Sequence, residues 1–294
     1  MPKTKLNNYL HLHLLVFIWG FTAILGALIN IEAIPLVWYR MLFASIIIFI
    51  YFIIKRKPIK ITSKTVLKFS FTGILIALHW IFFFSAIKVA NVSVALVAMS
   101  TGALFTSLIE PFFFKRKLII LELIFGLIII SGLYLIFNVE NTYTLGIIYA
   151  LISSFLSALF TVLNGLFIKD YDAETISFYQ LFFGVAFITV YILSTTGFSV
   201  QQFALNNSDL FYLLILSSIC TAYAFIISVK IMKFLTPFTV MLTINLEPIY
   251  GIILAVIIFG EKEKMSPQFY IGALIIIITV IINGLLKNKK KNIT

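Results

Sequence analysis

The sequence predicts an all-α integral membrane protein with ten transmembrane helices in two inverted five-helix repeats. Three observations carry that expectation. Of 294 residues, 62% are hydrophobic and only 11% are charged, well under the roughly 25% charged residues of an ordinary soluble domain. Ten apolar runs follow one another with short breaks, and lysine and arginine collect in alternate breaks. A soluble fold needs a polar shell that this composition does not supply. The net charge of +11 would suit nucleic acid, but the charges lie between apolar runs rather than on one soluble face. The single cysteine, Cys220, cannot form an intramolecular disulfide.

A helix needs roughly 20 apolar residues to cross a ~30 Å hydrocarbon core. Such runs occupy about 8–29, 34–54, 66–87, 91–114, 118–137, 145–168, 175–196, 209–229, 236–259 and 267–286. Polar or charged clusters mark most breaks, among them Lys55-Arg56-Lys57-Pro58, Lys115-Arg116-Lys117 and Glu261 to Lys264. The segment Lys88-Val89-Ala90 reads as a tight turn, and 230–235 as a link that a long eighth helix could absorb. Runs such as Leu127-Ile128-Ile129-Ile130 are apolar on every face, whereas barrel strands alternate. The first run lacks a clear small-residue cleavage site and is read as a retained span.

Orientation follows from the basic residues. Of the 22 lysines and arginines, only Lys88, Lys262 and Lys264 fall on one side and Arg40 lies within a span. The other eighteen share the side of the N-terminus. Both termini are therefore expected in the cytoplasm, and the tail Lys287 to Lys291 to face anionic lipid. The expected location is a bacterial plasma (inner) membrane.

A shift of 146 residues overlays Gly126 on Gly272, and Phe114-Lys115-Arg116-Lys117 on Gly260-Glu261-Lys262-Glu263. The division is read as 1–140 for the first five spans, and 141–294 for the second five with the basic tail. An odd number of spans per half inserts the halves in opposite senses. Inverted repeats with a site near the midplane are characteristic of secondary transporters.

Several short segments add a resemblance. They are Ile18-Trp19-Gly20-Phe21, Arg40, Leu108-Ile109-Glu110-Pro111 with Gly126, and Glu247-Pro248 followed by Phe259-Gly260-Glu261-Lys262 and Gly272. In this order and spacing the chain resembles the drug/metabolite transporter superfamily, in particular its EamA-type ten-span permeases. One departure is Lys115 where the second half has Glu261. The resemblance implies a transporter of small metabolites, often amino acids and usually outward, working by alternating access through a central cavity.

Polar groups inside spans are expensive and by default functional, and they supply the candidate site residues. Glu247 lies about 16 Å into the ninth span. Thr239, Thr243, Glu247 and Tyr250 follow at three-to-four residue spacing and would form one polar stripe, and Pro248 leaves the Ile244 carbonyl without its usual donor. Arg40 is one of only three arginines beside nineteen lysines. Its planar fork suits a carboxylate, and the competing reading is snorkelling to the interface. His79 and Trp80 fall at a similar depth; histidine can relay protons, or serve as a packed, hydrogen-bonded side chain. Trp80 and Tyr223 are candidate cavity walls. Thr101 is a further candidate, because Ser100-Thr101-Gly102 overlays Leu246-Glu247-Pro248. The hydroxyl and small residues Ser157, Thr161, Asn164, Thr221 and Ser228 are read mainly as packing faces.

There is no Cys/His metal spacing, phosphate-binding glycine loop or nucleophile elbow. No cofactor, no metal and no enzymatic activity are expected. The expected partners are a small-molecule substrate, the lipid bilayer, and protons or a counter-substrate. The competing class is a non-transporting assembly partner or lipid-handling subunit, with a dry core in which Glu247 is satisfied internally. On topology, cysteines placed in the Lys55 to Thr65 loop or the C-terminal tail, in a background lacking Cys220, should escape an impermeant thiol reagent applied outside intact cells. Labelling of the tail would reverse the orientation.

Overall fold

Within a bilayer the backbone must satisfy its own hydrogen bonds, and for chains this apolar the helix does so within one segment. The computed structural model describes residues 3–58, 61–115, 117, 120–139 and 141–291. Among them there are helices and no strand. The long helices are α1 (Lys3–Leu28), α2 (Ala33–Lys55) and α3 (Ser63–Val89). Two shorter ones follow, α4 (Val92–Met99) and α5 (Gly102–Phe114), then α6 (Ile120–Val139), α7 (Thr144–Phe167) and α8 (Ala173–Ser194). Beyond the brief α9 (Val200–Phe203) come α10 (Asn207–Ser217), a π-helical turn over Ser218–Tyr223, and α11 (Ala224–Ile231). The chain closes with α12 (Pro237–Ile244), α13 (Glu247–Phe259), a 3₁₀ turn over Gly260–Glu263 and α14 (Pro267–Lys291).

Among the described residues, eight spans are long and apolar enough to cross a membrane: α1, α2, α3, α4 with α5, α7, α8, α10 through α11, and α12 through α13. The protein is a multi-pass membrane protein. The remaining two runs of the expected ten form α6 and α14, whose apolar stretches are shorter, Ile124–Ile136 and Pro267–Thr279. These two helices lie against each other. A Cβ on Gly272 would stand 2.8 Å from the Gly132 carbonyl oxygen, so the two backbones touch where both residues are glycine.

Two expected spans are not continuous. The run 91–114 divides at Ser100-Thr101, and the run 236–259 divides at Asn245-Leu246. At the first break the Ser100 and Thr101 hydroxyls donate back to the Leu96 and Ala98 carbonyls, at 3.3 and 2.8 Å, and compete with the helical ladder. At the second, Pro248 supplies no N–H and restricts the residue before it, so the helix restarts at Glu247. The polar stripe expected along one helix is therefore divided, with Thr239 and Thr243 on α12 and Glu247 and Tyr250 on α13. The two broken spans cross antiparallel. Leu96 of α4 meets Gly251 of α13, and Gly102 of α5 meets Met241 of α12.

Helix α3 is the most enclosed long helix and packs on α2, α7 and α8. Its approach to α8 depends on glycine. A Cβ on Gly73 would lie 2.4 Å from the Gln180 carbonyl oxygen. Because that neighbour is backbone, it cannot swing aside. Gly73→Val should therefore cost at least about 1–3 kcal/mol, read as a lower thermal midpoint in detergent. An unchanged midpoint would mean that α3 and α8 do not pack this closely.

Candidate functional site

A partly open space of about 80 Å³ lies among α1–α4, α7, the π turn after α10 and α11–α13, enough for a few water molecules. Arg40, His79, Trp80 and Glu247 all line it. These four come from three stretches of the chain, α2, α3 and α13, and the fold brings them together.

Arg40 decides the character of this space. It is 1% exposed, so it does not snorkel to the interface. Its Nε donates to Thr221 Oγ1 at 2.6 Å, and that hydroxyl donates to the Leu216 carbonyl at 2.7 Å. Thr221 lies within the π turn, which widens the helix at this point. The guanidinium carbon sits 4.0 Å from the centre of the Trp80 ring and 5.4 Å from that of Phe84, a cation–π arrangement. Nη1 is buried and finds no acceptor among the described residues.

Glu247 opens α13 beside the second helix break. It is half-buried, its remaining surface facing the cavity it lines. Arg40 and Glu247 feel each other's charge, yet they form no direct ion pair. Among the described residues no side chain hydrogen-bonds the Glu247 carboxyl. The cavity thus holds a cation and an acid, each with unused hydrogen-bonding capacity.

His79 is held from behind. Its Nδ1 lies 2.9 Å from the Ser153 carbonyl and 2.8 Å from Ser153 Oγ, which itself donates to the His79 carbonyl at 2.9 Å. A carbonyl partner assigns the proton to Nδ1 and leaves Nε2 as the ring's free lone pair. Phe83 and Phe160 flank the ring.

The other four candidates do not line the cavity. Tyr223 is 41% exposed. Thr101 lies at the first break, 3.0 Å from Ser154 Oγ. Thr243 donates to the Thr239 carbonyl at 2.9 Å. Tyr250 packs on Gly20 and meets the Phe17 ring edge-on. Conversely, Ser157, Thr161 and Asn164 on α7 and Ser228 on α11 line the cavity, although their sequence pattern suggested packing. Their signal was the 157/161/164 spacing, which keeps three polar groups on one helix face. Asn164 Oδ1 accepts from Gln180 Nε2 at 2.6 Å, while its Nδ2 has no partner among the described residues.

The profile of the EamA-like transporter family matches residues 8–138 and residues 144–285. The chain belongs to the EamA-like transporter family. An uncharacterized transporter of Archaeoglobus fulgidus is 26% identical over 94% of this chain and 96% of its own length. Another, from Clostridium kluyveri, is 26% identical over 81% of this chain and 78% of its own. A solved crystal structure shares the fold with a TM-score of 0.70 at 16% identity, covering 96% of this chain and 98% of that one. For this EamA-family chain, Arg40→Lys should fold normally. It should weaken transport by roughly tenfold, because a point charge replaces a planar fork stacked on Trp80. Normal transport by the lysine variant would leave Arg40 a packing role only.

Proposed function

We propose that the protein is a secondary transporter that exports small organic metabolites such as amino acids, by alternating access about this cavity. The observation that carries the reading is that Arg40 and Glu247 line one space, each with hydrogen-bonding capacity that no described residue uses. A substrate carboxylate would take the Arg40 fork, and the aromatic walls at Trp80, Phe160 and Phe225 would take an apolar side chain. Glu247 would be the ionisable centre that changes protonation or partner during the cycle, with protons or a counter-substrate as the coupling partner. His79 would contribute a neutral acceptor. In an assembly partner or lipid-handling subunit, Glu247 would be satisfied by the protein, and the unpartnered carboxyl speaks against that class.

The reading includes ten spans, with α6 and α14 as the fifth and tenth, in two oppositely inserted units, 1–140 and 141–294. Breaks 145 residues apart, at Ser100 and Asn245, support the repeat. Discontinuous helices beside a midplane site are also the recurrent geometry of secondary transporters. The proposed setting is a bacterial plasma (inner) membrane with both termini cytoplasmic. No nucleotide motif is present in the sequence, which favours a gradient over ATP as the source of drive.

The test is substrate flux in proteoliposomes with and without an imposed pH gradient. Glu247→Gln keeps shape and hydrogen-bonding capacity but loses the charge. It should leave expression and thermal stability near wild type and abolish uphill transport. Glu247→Ala should in addition lower stability by about 1–3 kcal/mol, through the void and the unpaired polar neighbours it leaves. Gradient-responsive, wild-type-like flux in the glutamine variant would make Glu247 structural and move the coupling elsewhere.

A further inference from the structure

The first turn of α4 is closed by a carboxylate from about 170 positions later in the chain. Glu263 Oε1 accepts from Val92 N and Oε2 from Ser93 N, both at 2.9 Å, and Oε2 also accepts from Ser93 Oγ at 2.8 Å. Asn91 caps the next amide, Val94 N, at 2.8 Å. Glu263 is 4% exposed. A buried carboxylate on helix N–H groups is a charge-assisted contact aligned with the helix dipole. The side chain reaches α4 because α13 ends in Gly260, whose φ of +59° and ψ of −127° turn the chain sharply back, a conformation open essentially to glycine alone.

The contact joins two elements that line the site. Helices α4 and α13 are half-helices of the two broken spans, and each contributes to the cavity, through Met99 and Glu247. The same face holds two more closures, Asp209 accepting from Asn30 N and Nδ2, and Lys88 donating to the Ile29 carbonyl. The opposite face is different. The cavity reaches Met232, in the link between α11 and α12. Among the described residues, the first turn of α12 is capped locally, by Thr236 Oγ1 accepting from Thr239 N at 3.3 Å. Asn91 and Thr236 stand 145 residues apart, and the residue 146 before Glu263 is Lys117, which is exposed. An ammonium cannot accept from helix N–H groups and is disfavoured beside them.

We propose that Glu263 latches the gate on the α3–α4 face, and that Lys117 denies the α11–α12 face a matching latch, so that the resting cavity opens toward α11–α12. Glu263 is a positioning residue; it touches no substrate. Transport then requires the Glu263 contact to break once per cycle. For its effect on flux the inference rests on the alternating-access reading above.

The chain carries its own reporter. Cys220 is the single cysteine and lines the cavity. Full-length protein is reconstituted in sealed vesicles, and a charged, membrane-impermeant thiol reagent is applied from each side in turn, with no substrate present. Wild-type Cys220 should react faster from the α11–α12 side. Glu263→Gln should raise its rate from the α3–α4 side by about tenfold. Ser93→Ala, which removes one bond and keeps the fold, should move it in the same direction by less. Lys117→Glu should install a second latch, slowing modification from the α11–α12 side and slowing flux. Equal reactivity of the wild type from both sides would overturn the proposal, as would an unaltered side preference in the Glu263 and Lys117 variants. Because Cys220 reactivity is read without substrate, a working gate with no flux would count against the transport reading and leave the latch standing.

Discussion

A guanidinium buried in a bilayer-spanning protein is cut off from bulk water, so the protein has to supply most of its solvation. Arg40 receives that solvation from one hydroxyl and two aromatic faces, and several features of the fold exist in the arrangement that makes this workable. The π turn presents Thr221. The close packing of α3 between α2 and its neighbours holds Trp80 beneath the cation. The second helix break sets an acid where its field reaches Arg40 without neutralising it by direct contact. Removing any of these would leave a charge in a medium that tolerates charge poorly.

The breaks in the two crossing spans have a cost of their own, since each frees backbone groups at membrane depth. Such backbone is tolerated where it is buried in protein or lines a cavity. Both breaks meet that condition. Thr101 and Ser154 engage the first, and Asn245 accepts a place in the buried interior beside the second. Cavity and breaks are therefore one design: the irregular backbone needs an interior, and the interior is lined by residues beside both breaks, Met99, Ile244 and Glu247.

Eight of the ten expected spans were legible in the sequence because hydropathy reports directly on what a bilayer requires. Arg40, His79 and Glu247 were legible as cavity-lining residues for the converse reason, being costly inside apolar runs, and Trp80 as a deep aromatic beside them. What the sequence hid depends on contacts between distant segments. Tyr223 sits at membrane depth, but the side of the helix it occupies is set by the π turn, which has no pattern of its own. The break at Thr101 comes from hydroxyls turning back on the ladder, a choice that most serines and threonines in spans do not make. Glu263 reads as one more charge in a polar loop, and its burial is visible only once α4 is placed beside it. Asn164 and Thr161 carried a helical spacing, yet that spacing serves packing faces and cavity faces equally.

The π turn has a consequence for how this span tolerates insertion and deletion. A π turn is an α-helix holding one surplus residue. Along the span the cavity-facing positions run 220, 225, 228 and 232; the first step is five residues and the later ones are three and four. Loss of a single residue from Ser218–Tyr223 would restore an uninterrupted α-helix with the same hydropathy and almost the same length. It would also rotate everything beyond by about 100°, carrying Phe225 and Ser228 off the cavity wall and withdrawing the acceptor from Arg40. The membrane would register no difference between the two chains, although only one of them would keep the wall.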